Sequence, residues 1–262
     1  MGNSLNYDSR GEGMHTVLML HGFLGSGRNL QSLARRWSDR EPRLRLVMPD
    51  LTGHGMSPAP RDPATIEQVA RDVIALADEV GADDPLTIVG HSFGGRTALA
   101  MRLLEPSRIG HIVLLDITPN VLRGDVGGLD RVLEHVLAAP AQVGSREEMR
   151  TLFLGHGISP ALTDWVLLNL TQDGDVLRWR FDRDKLKALH LESCRQDFWP
   201  AVEAPGVKTT LIYGKRSKFV ADIDVDRFDA AGADVIAIPD AGHFLHVDAQ
   251  AQLLDELVAL GL

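Results

Sequence analysis

Residues 86–95 have the sequence LTIVGHSFGG, an apolar run followed by a glycine-rich turn with a serine at its centre. The apolar run predicts a buried strand, and the residues after the turn have the pattern of a helix. A Gly-x-Ser-x-Gly turn between a strand and a helix holds its central serine in a strained conformation with the hydroxyl exposed. The three glycines leave room for strand and helix to approach closely. This context favours Ser92 as a nucleophile over an incidental serine in a βα turn.

Composition indicates an ordinary globular protein of 262 residues, with 44% hydrophobic and 24% charged residues. This length suits one large domain, or a core domain with an inserted segment. The net charge of −9 argues against a nucleic-acid or anionic-membrane partner. The single cysteine, Cys194, excludes an intramolecular disulfide and fits a reducing compartment. Neither a secretory signal nor an apolar run of the roughly 20 residues that span a bilayer is evident, so we expect a cytoplasmic protein.

Short apolar runs alternate with helical patterns along the chain, which predicts an α/β fold with a mostly parallel sheet flanked by helices. The predicted strands are residues 15–20, 44–48, 86–89, 111–115, 207–213 and 235–238. The predicted helices of this core are residues 30–37, 66–80, 93–104, 222–230 and 247–260. Thr65 and Gln68 predict a capping box at the start of the second helix, and Gly81 predicts its end.

One long segment, residues 119–200, interrupts this alternation. It has helical patterns at 129–137, 145–153, 160–170 and 184–193, no strong strand, and three of the four tryptophans. An insertion at this point would cover the carboxyl edge of a parallel sheet, where ligands bind in such folds. We therefore predict a helical lid at 119–200 between two parts of the core, 1–118 and 201–262. The alternative is a helical subdomain whose tryptophans fill its own core.

A nucleophilic serine needs a base that takes its proton and an acid that orients the base. His243 is the one histidine of ten that lies in a glycine-containing loop between the last predicted strand and the last predicted helix. His246 makes a His-x-x-His pair with it, but no further ligand completes a metal site, so we expect neither a metal nor a cofactor. His91 is adjacent to Ser92, so we expect its side chain to point away from the serine and to be structural.

The oxyanion of the reaction needs preset hydrogen-bond donors. The sequence LHGFLG at residues 20–25 follows the first central strand, where the backbone N–H of Phe23 could face the same point as that of Phe93. The glycine spacing at residues 22–27 resembles a phosphate-binding loop. However, Arg28 and Asn29 replace the Lys-Ser/Thr pair that such a loop requires, which argues against nucleotide binding.

Four motifs together resemble the α/β-hydrolase superfamily, and they cover nearly the whole chain. They are HGF at residues 21–23, PDLTGHGMS at 49–57, GHSFG at 90–94 and GH at 242–243. The chain order nucleophile, acid, histidine is the one that this fold uses. The resemblance implies an α/β-hydrolase fold with an inserted lid and a Ser-His-acid catalytic triad.

The position of the triad acid differs from the commonest pattern of the superfamily, in which an aspartate follows the strand at 207–213 by a few residues. Ser217 stands there instead, and Asp116 ends the preceding strand. This combination is similar to small bacterial carboxylesterases and acyl-thioesterases, and that resemblance implies Asp116 as the triad acid. Asp222 and Asp240 remain alternatives. Ser217 would then hydrogen-bond near the acid, or else be a plain loop serine.

The expected activity is hydrolysis of carboxylic esters or thioesters with small to medium acyl groups, through an acyl-enzyme on Ser92. Carbon–carbon bond hydrolysis, lactone or peracid chemistry, and a small-molecule receptor that kept the site are alternatives. The sequence does not decide between a monomer and a dimer.

The lid composition predicts an apolar pocket for the acyl group, and a run of basic residues lies in the same segment. Leu24 and Phe244 are expected to line the pocket together with some of the following lid residues, the others being core: Phe153, Leu154, Trp165, Leu168, Trp179 and Trp199. The cations Arg178, Arg180, Arg183, Lys185 and Lys187 could bind an anionic substrate group. Interleaved aspartates favour instead a solvated lid surface.

Overall fold

A large mixed sheet and a smaller one organise the computed structural model, which describes residues 4–124 and 129–262. The strands are β1 (Tyr7–Arg10), β2 (His15–Leu20), β3 (Leu44–Pro49), β4 (Leu86–His91), β5 (Ile109–Leu115), β6 (Gln142–Val143), β7 (Leu170–Asp173), β8 (Val176–Trp179), β9 (Lys208–Gly214) and β10 (Asp234–Ile238). The helices are α1 (Gln31–Arg40), α2 (Ile66–Glu79), α3 (Phe93–Leu104), α4 (Leu129–Ala138), α5 (Arg146–Gly155), α6 (Pro160–Leu167), α7 (Arg183–Cys194), α8 (Trp199–Glu203), α9 (Asp222–Ala230), α10 (Leu245–Asp248) and α11 (Gln250–Ala259). Every described helix is too short or too polar to cross a membrane.

The large sheet has the strand order β1-β3-β2-β4-β5-β9-β10. All neighbouring strands are parallel except β1, which pairs antiparallel with β3. The six predicted strands all form, so the predicted α/β fold with a mostly parallel sheet is confirmed. The sequence did not predict β1, because its residues YDSR are polar and exposed at the sheet edge. Strand β4 lies at the centre of the order, so the turn that carries Ser92 is surrounded by the loops of its neighbours.

Both faces of the large sheet are buried. In β2, Leu18 and Leu20 belong to one hydrophobic cluster, whereas Val17 and Met19 belong to the other. This alternation is expected when side chains point to opposite faces of a strand and helices cover both faces. Helices α2 and α3 contribute to the first cluster, and α1 and α11 to the second. The sheet that carries the candidate site is therefore packed on both faces.

Two core helices differ in detail from the predictions. At the start of α2 the Thr65 hydroxyl accepts from the Gln68 backbone, but the Gln68 side chain accepts from Arg61, so only half of the predicted capping box forms. Gly81, at φ +62°, follows the helix end as predicted. The single helix predicted at 247–260 is divided into α10 and α11 at Ala249, which has φ −142°. The apolar periodicity continues across this break, so the pattern alone did not predict it.

The segment between β5 and β9 contains α4 to α8 and a three-stranded antiparallel sheet of order β6-β8-β7. The expectation that this segment lacks strands is wrong. Strands β7 and β8 form a hairpin around Gly174, whose φ of +59° suits glycine. The helix predicted at 160–170 consequently ends at Leu167. The strands were missed because they are short, and exposed polar residues weaken their pattern.

Candidate active site

The turn after β4 holds Ser92 at φ 51° and ψ −114°, a positive φ that serine rarely adopts. The glycines around it are required by close packing. A Cβ added to Gly90 would lie 2.5 Å from the Gly94 carbonyl oxygen, and one added to Gly94 would lie 2.3 Å from the Leu20 carbonyl oxygen. Strand β4, helix α3 and strand β2 thus fix the backbone of Ser92 from three sides. This is the strained strand-to-helix turn predicted from residues 86–95.

The parallel sheet brings the other candidate residues to the same edge. Asp116 follows β5, Phe23 follows β2, and His243 follows β10. Strands β2 and β5 flank β4 directly, and β10 lies at the end of the sheet beyond β9. The carboxyl ends of these strands therefore converge around Ser92.

Asp116 is the acid that contacts His243. Its Oδ2 atom lies 2.7 Å from His243 Nδ1, and its side chain is fully buried. Gly214 donates its backbone N–H to Oδ1 over 2.9 Å, and the Ser217 hydroxyl donates to Oδ2. The Gly214 and Ser217 donors hold the carboxylate in place. A carboxylate only accepts hydrogen bonds, so the contact with Asp116 places the proton of the His243 ring on Nδ1, and Nε2 can accept a proton.

The alternative acids lie elsewhere. Asp240 forms an exposed ion pair with Arg216, at 2.5 Å between Oδ1 and Nη2. Asp222 is the exposed first residue of α9. Neither carboxylate hydrogen-bonds to His243 in the part of the chain that the structure describes.

Ser92 and His243 both line a cavity of about 730 Å³ at the carboxyl edge of the sheet. Within residues 4–124 and 129–262, no hydrogen bond joins the Ser92 hydroxyl directly to the imidazole. Catalytic hydrogen bonds are often long before substrate binds and shorten in the complex. The cavity also has an apolar side formed by Leu162, Trp165 and Phe244. A substrate in this cavity would contact both the hydroxyl and the imidazole.

The loop after β2 lies directly against the nucleophile. A Cβ added to Gly22 would be 3.4 Å from Ser92 Cβ and 2.8 Å from His91 Nδ1, so only glycine fits without movement. Phe93 is the first residue of α3, and the N–H groups of a first helical turn have no partner within the helix. The rings of Phe23 and Phe93 contact each other edge to face at 5.8 Å. Their roles as oxyanion donors stay a prediction.

The predicted pocket residues divide into two groups. Trp165 and Phe244 line the cavity, with ring centroids 5.7 Å apart. Leu24, Phe153 and Trp179 are buried and are absent from the cavity lining of the described residues, so the structure does not support them as pocket residues.

Packing inside the inserted segment explains the difference. The Trp179 ring stacks with Phe181, and its Nε1 donates to the Pro140 carbonyl over 3.1 Å. Trp199 donates to Asn120 Oδ1 and packs on Phe228. These aromatic residues fill the core of the inserted segment and its junction with the core domain, in line with the alternative that the sequence left open. Leu154 and Leu168 likewise lie outside the described cavity lining.

Three cations of the basic run have partners within the protein, and none of the five belongs to the described lining of the cavity that Ser92 and His243 share. Arg183 donates to the Ala139 carbonyl and to two carbonyls at the end of α4. Lys185 donates to the Pro60 carbonyl, and Arg178 pairs with Asp173 at 3.2 Å. The less favoured alternative, that these cations bind an anionic substrate group, gains no support from these contacts. The cations that do line the cavity are Arg216 and Lys218.

Burial keeps the histidines around the site neutral. Desolvation lowers the pKa of His21 to about 4, of His54 to about 3 and of His246 to about 4, and lowers that of His91 well below 6.5. His21 Nε2 accepts from the Leu51 backbone over 2.9 Å, so its proton is on Nδ1. These neutral rings support loops without adding positive charge near the serine. Within the described residues, no cluster of three or more His, Cys, Asp or Glu side chains could hold a metal ion.

His91 and Phe219 contact His243, although sequence reasoning expected His91 to point away from the serine and gave Phe219 no role. His91 lines the cavity and bonds through Nε2 to the His243 carbonyl oxygen at 2.8 Å. The Phe219 ring stacks on the His243 imidazole, with centroids 3.8 Å apart. The signal that could have indicated Phe219 is its position two residues after Ser217.

Comparisons with known proteins agree with this architecture. Residues 15–250 match the family model of the alpha/beta hydrolase fold. The chain is 28% identical over 251 residues to the sn-1-specific diacylglycerol lipase ABHD11 of Mus musculus, with 93% of this chain and 80% of that protein covered. It is 31% identical over 238 residues to Lipase LipV of Mycobacterium tuberculosis, with 87% of this chain and 86% of that protein covered.

A solved structure extends the comparison to the fold. A marine microorganism esterase superposes with a TM-score of 0.86 at 21% identity, over 98% of this chain and 99% of that chain. At this identity the likeness establishes the fold alone. The family match, in contrast, spans most of the sequence. The chain therefore belongs to the α/β-hydrolase family.

Proposed function

We propose that this hydrolase cleaves carboxylic esters or thioesters of small to medium acyl groups through an acyl-enzyme on Ser92. The observation that carries the proposal is the His243–Asp116 contact of 2.7 Å beside a cavity that Ser92 shares. Hydrolysis of esters fits the names of the lipase relatives.

In the proposed mechanism the Asp116 carboxylate accepts a hydrogen bond from the Nδ1–H group of His243. This bond keeps the proton on Nδ1, so Nε2 is available as the base. His243 takes the proton of the Ser92 hydroxyl as its oxygen attacks the carbonyl carbon. The backbone N–H groups of Phe23 and Phe93 stabilise the developing oxyanion. The imidazolium then protonates the leaving alcohol or thiol, and a water molecule activated by His243 releases the acid.

The cavity supports the proposed range of substrates. Its volume of about 730 Å³ is within the usual range for small-molecule sites, and its apolar side at Leu162, Trp165 and Phe244 suits an acyl chain. Exposed polar residues that also line the cavity, including Lys218, suit a more polar leaving group. The substrate is therefore a small molecule, and the net charge of −9 supports neither nucleic acid nor an anionic surface as a partner. The single cysteine supports a reducing, cytoplasmic compartment.

The test is a series of activated esters and acyl-CoA thioesters of increasing chain length, together with a diacylglycerol, assayed alongside labelling by a fluorophosphonate. We expect turnover and labelling of the wild type, both abolished in Ser92→Ala with an unchanged circular dichroism spectrum. Normal turnover in Ser92→Ala would contradict the nucleophile assignment. Activity confined to the longest chains or to the diacylglycerol would contradict the small to medium acyl range. One slow acylation without turnover would favour a receptor.

A further inference from the structure

Three rings contact the imidazole of His243, and those of Phe219 and His91 lie closer than that of the adjacent Phe244, which is edge to face at 5.3 Å. Phe219 stacks on it with a centroid distance of 3.8 Å and an interplanar angle of 18°. His91 lies 4.7 Å away between centroids at an angle of 43°. Both residues are buried, with 8% and 3% of their surface exposed. The imidazole is therefore packed as well as hydrogen-bonded.

The position of Phe219 is coupled to that of the acid. The Phe219 backbone N–H donates to the Ser217 hydroxyl oxygen over 3.1 Å, and the same hydroxyl donates to Asp116 Oδ2. Ser217 thus connects the Asp116 carboxylate, which binds the His243 imidazole, to Phe219, whose ring stacks on the same imidazole. Rotation of a histidine ring about its outer side-chain torsion is only weakly restricted by the torsion itself. A nearly parallel ring at 3.8 Å restricts that rotation further, in addition to the hydrogen bond at Nδ1.

His91 fixes the backbone from which the imidazole projects. Its Nε2–H donates to the carbonyl oxygen of His243 over 2.8 Å. Burial lowers the pKa of His91 well below 6.5, so the ring is neutral and its single proton lies on the nitrogen that faces this carbonyl. Because His91 precedes Ser92 in the chain, this bond ties the loop of the base to the residue next to the nucleophile. The absent Cβ of Gly22 leaves the space that the His91 ring occupies.

We propose that Phe219 and His91 are positioning residues for His243, Phe219 holding the plane of the imidazole and His91 holding its backbone. This inference rests on the proposed function, in which His243 is the base. Misplacement of a reacting group by about 1 Å costs on the order of 100-fold in rate. Loss of either contact should therefore lower kcat and leave KM nearly unchanged.

The kinetic test compares two pairs of variants with a short activated ester. Phe219→Leu removes the ring and Phe219→Tyr keeps it, whereas His91→Leu removes the donor and His91→Gln supplies one. We expect the leucine variants to lose about 10- to 100-fold in kcat, and the tyrosine and glutamine variants to recover most of that loss. Trp165→Leu is the matched control, since Trp165 lines the cavity without a ring contact to His243, and should raise KM more than it lowers kcat.

A second readout separates this inference from the proposed function. The hydrogen-bonded Nδ1 proton of His243 is observed by proton NMR at low temperature in the wild type and in each folded variant, without substrate. We expect this resonance to broaden or disappear in Phe219→Leu and His91→Leu, with thermal midpoints showing that the variants are folded. A higher KM with unchanged kcat and an unchanged resonance would overturn the inference. An inactive, unlabelled wild type would instead contradict the proposed function, and the NMR comparison would still decide the positioning roles.

Discussion

The His243 imidazole lies 2.7 Å from the Asp116 carboxylate, although 127 residues separate the two in the chain. The usual acid position of the superfamily is occupied by Ser217, which donates a hydrogen bond to Asp116. Strands β5 and β9 are paired neighbours, and the Asp116 backbone N–H donates to the Ile212 carbonyl of β9 over 2.9 Å. Because the carboxyl ends of β5 and β9 are adjacent, an aspartate that follows either strand can face His243. The serine then completes the hydrogen bonding of the carboxylate.

Asp116→Asn should lower kcat by about three to four powers of ten, as in the equivalent change of a serine protease, because an amide does not enforce the required tautomer of His243. Steady-state kinetics with an activated ester measures this change. The control is Asp240→Asn, which removes only the exposed partner of Arg216 and should keep kcat within about twofold of the wild type. A large loss in the control with a normal Asp116→Asn enzyme would place the acid at Asp240.

Gly94→Ala should destabilise the protein, because the added Cβ would lie 2.3 Å from the Leu20 carbonyl oxygen of a central strand. Overpacking of this kind costs about 1–3 kcal/mol in free energy of unfolding, which urea denaturation measures. Gly155→Ala is the matched control, since its added Cβ meets no described atom within 4 Å and the residue is helical. That variant should stay within about 1 kcal/mol of the wild type. Equal free energies of unfolding for the two variants would show that β2 and α3 can move apart without cost to make room for the added Cβ.

The free energy of unfolding should fall as the pH is lowered from about 7 to about 4. Burial lowers the pKa of His21, His54 and His246 to between about 3 and 4, whereas the unfolded chain binds these protons near pH 6.5. Between these values the unfolded state holds more protons than the folded state, so acid favours unfolding. Each such histidine contributes up to about 1.4 kcal/mol per pH unit.

Urea denaturation at several pH values measures that slope. His54→Phe should reduce it, because the ring packs edge to face on Phe23 at 5.4 Å and a phenyl group keeps that packing without a titrating nitrogen. His15→Gln, at an exposed position, serves as the control and should leave the slope unchanged. A stability that is constant from pH 7 to pH 5 would mean that the buried histidines take up protons without cost.

Arg96→Met should loosen the junction between the nucleophile helix and the inserted segment. The buried guanidinium donates to carbonyls at the start of that segment, Thr118 and Asn120, and at its end, Ser193 and Gln196. Desolvation lowers the pKa of Arg96 to about 10, which still leaves it charged at neutral pH. Losing these donors should cost on the order of 3 kcal/mol in free energy of unfolding.

Hydrogen exchange should locate this effect at residues 118–122 and 193–198. The control is Arg150→Met, which breaks a surface ion pair with Asp164 and should leave the unfolding free energy nearly unchanged. Equal exchange at both ends of the segment in Arg96→Met and the wild type would contradict the role assigned to Arg96.

Local sequence patterns predicted much of this molecule. The family, the parallel sheet and an enzyme of the esterase type were predicted from the sequence, and the comparisons with known proteins confirm them. The motifs also singled out Ser92, Asp116 and His243, of which the structure joins the last two by a hydrogen bond. Such patterns are informative because a strained turn, a strand end or a glycine loop is specified by adjacent residues.

Only the tertiary structure decided which aromatic residues face the cavity and which contact the base. Phe153 and Trp179 were predicted to line the pocket together with Trp165, yet the first two are buried away from the cavity and the third lines it. Phe219 reaches His243 only because the ends of β9 and β10 are adjacent. A buried apolar side chain looks alike in sequence whether it packs on core or on a cavity, because the difference depends on residues far away in the chain.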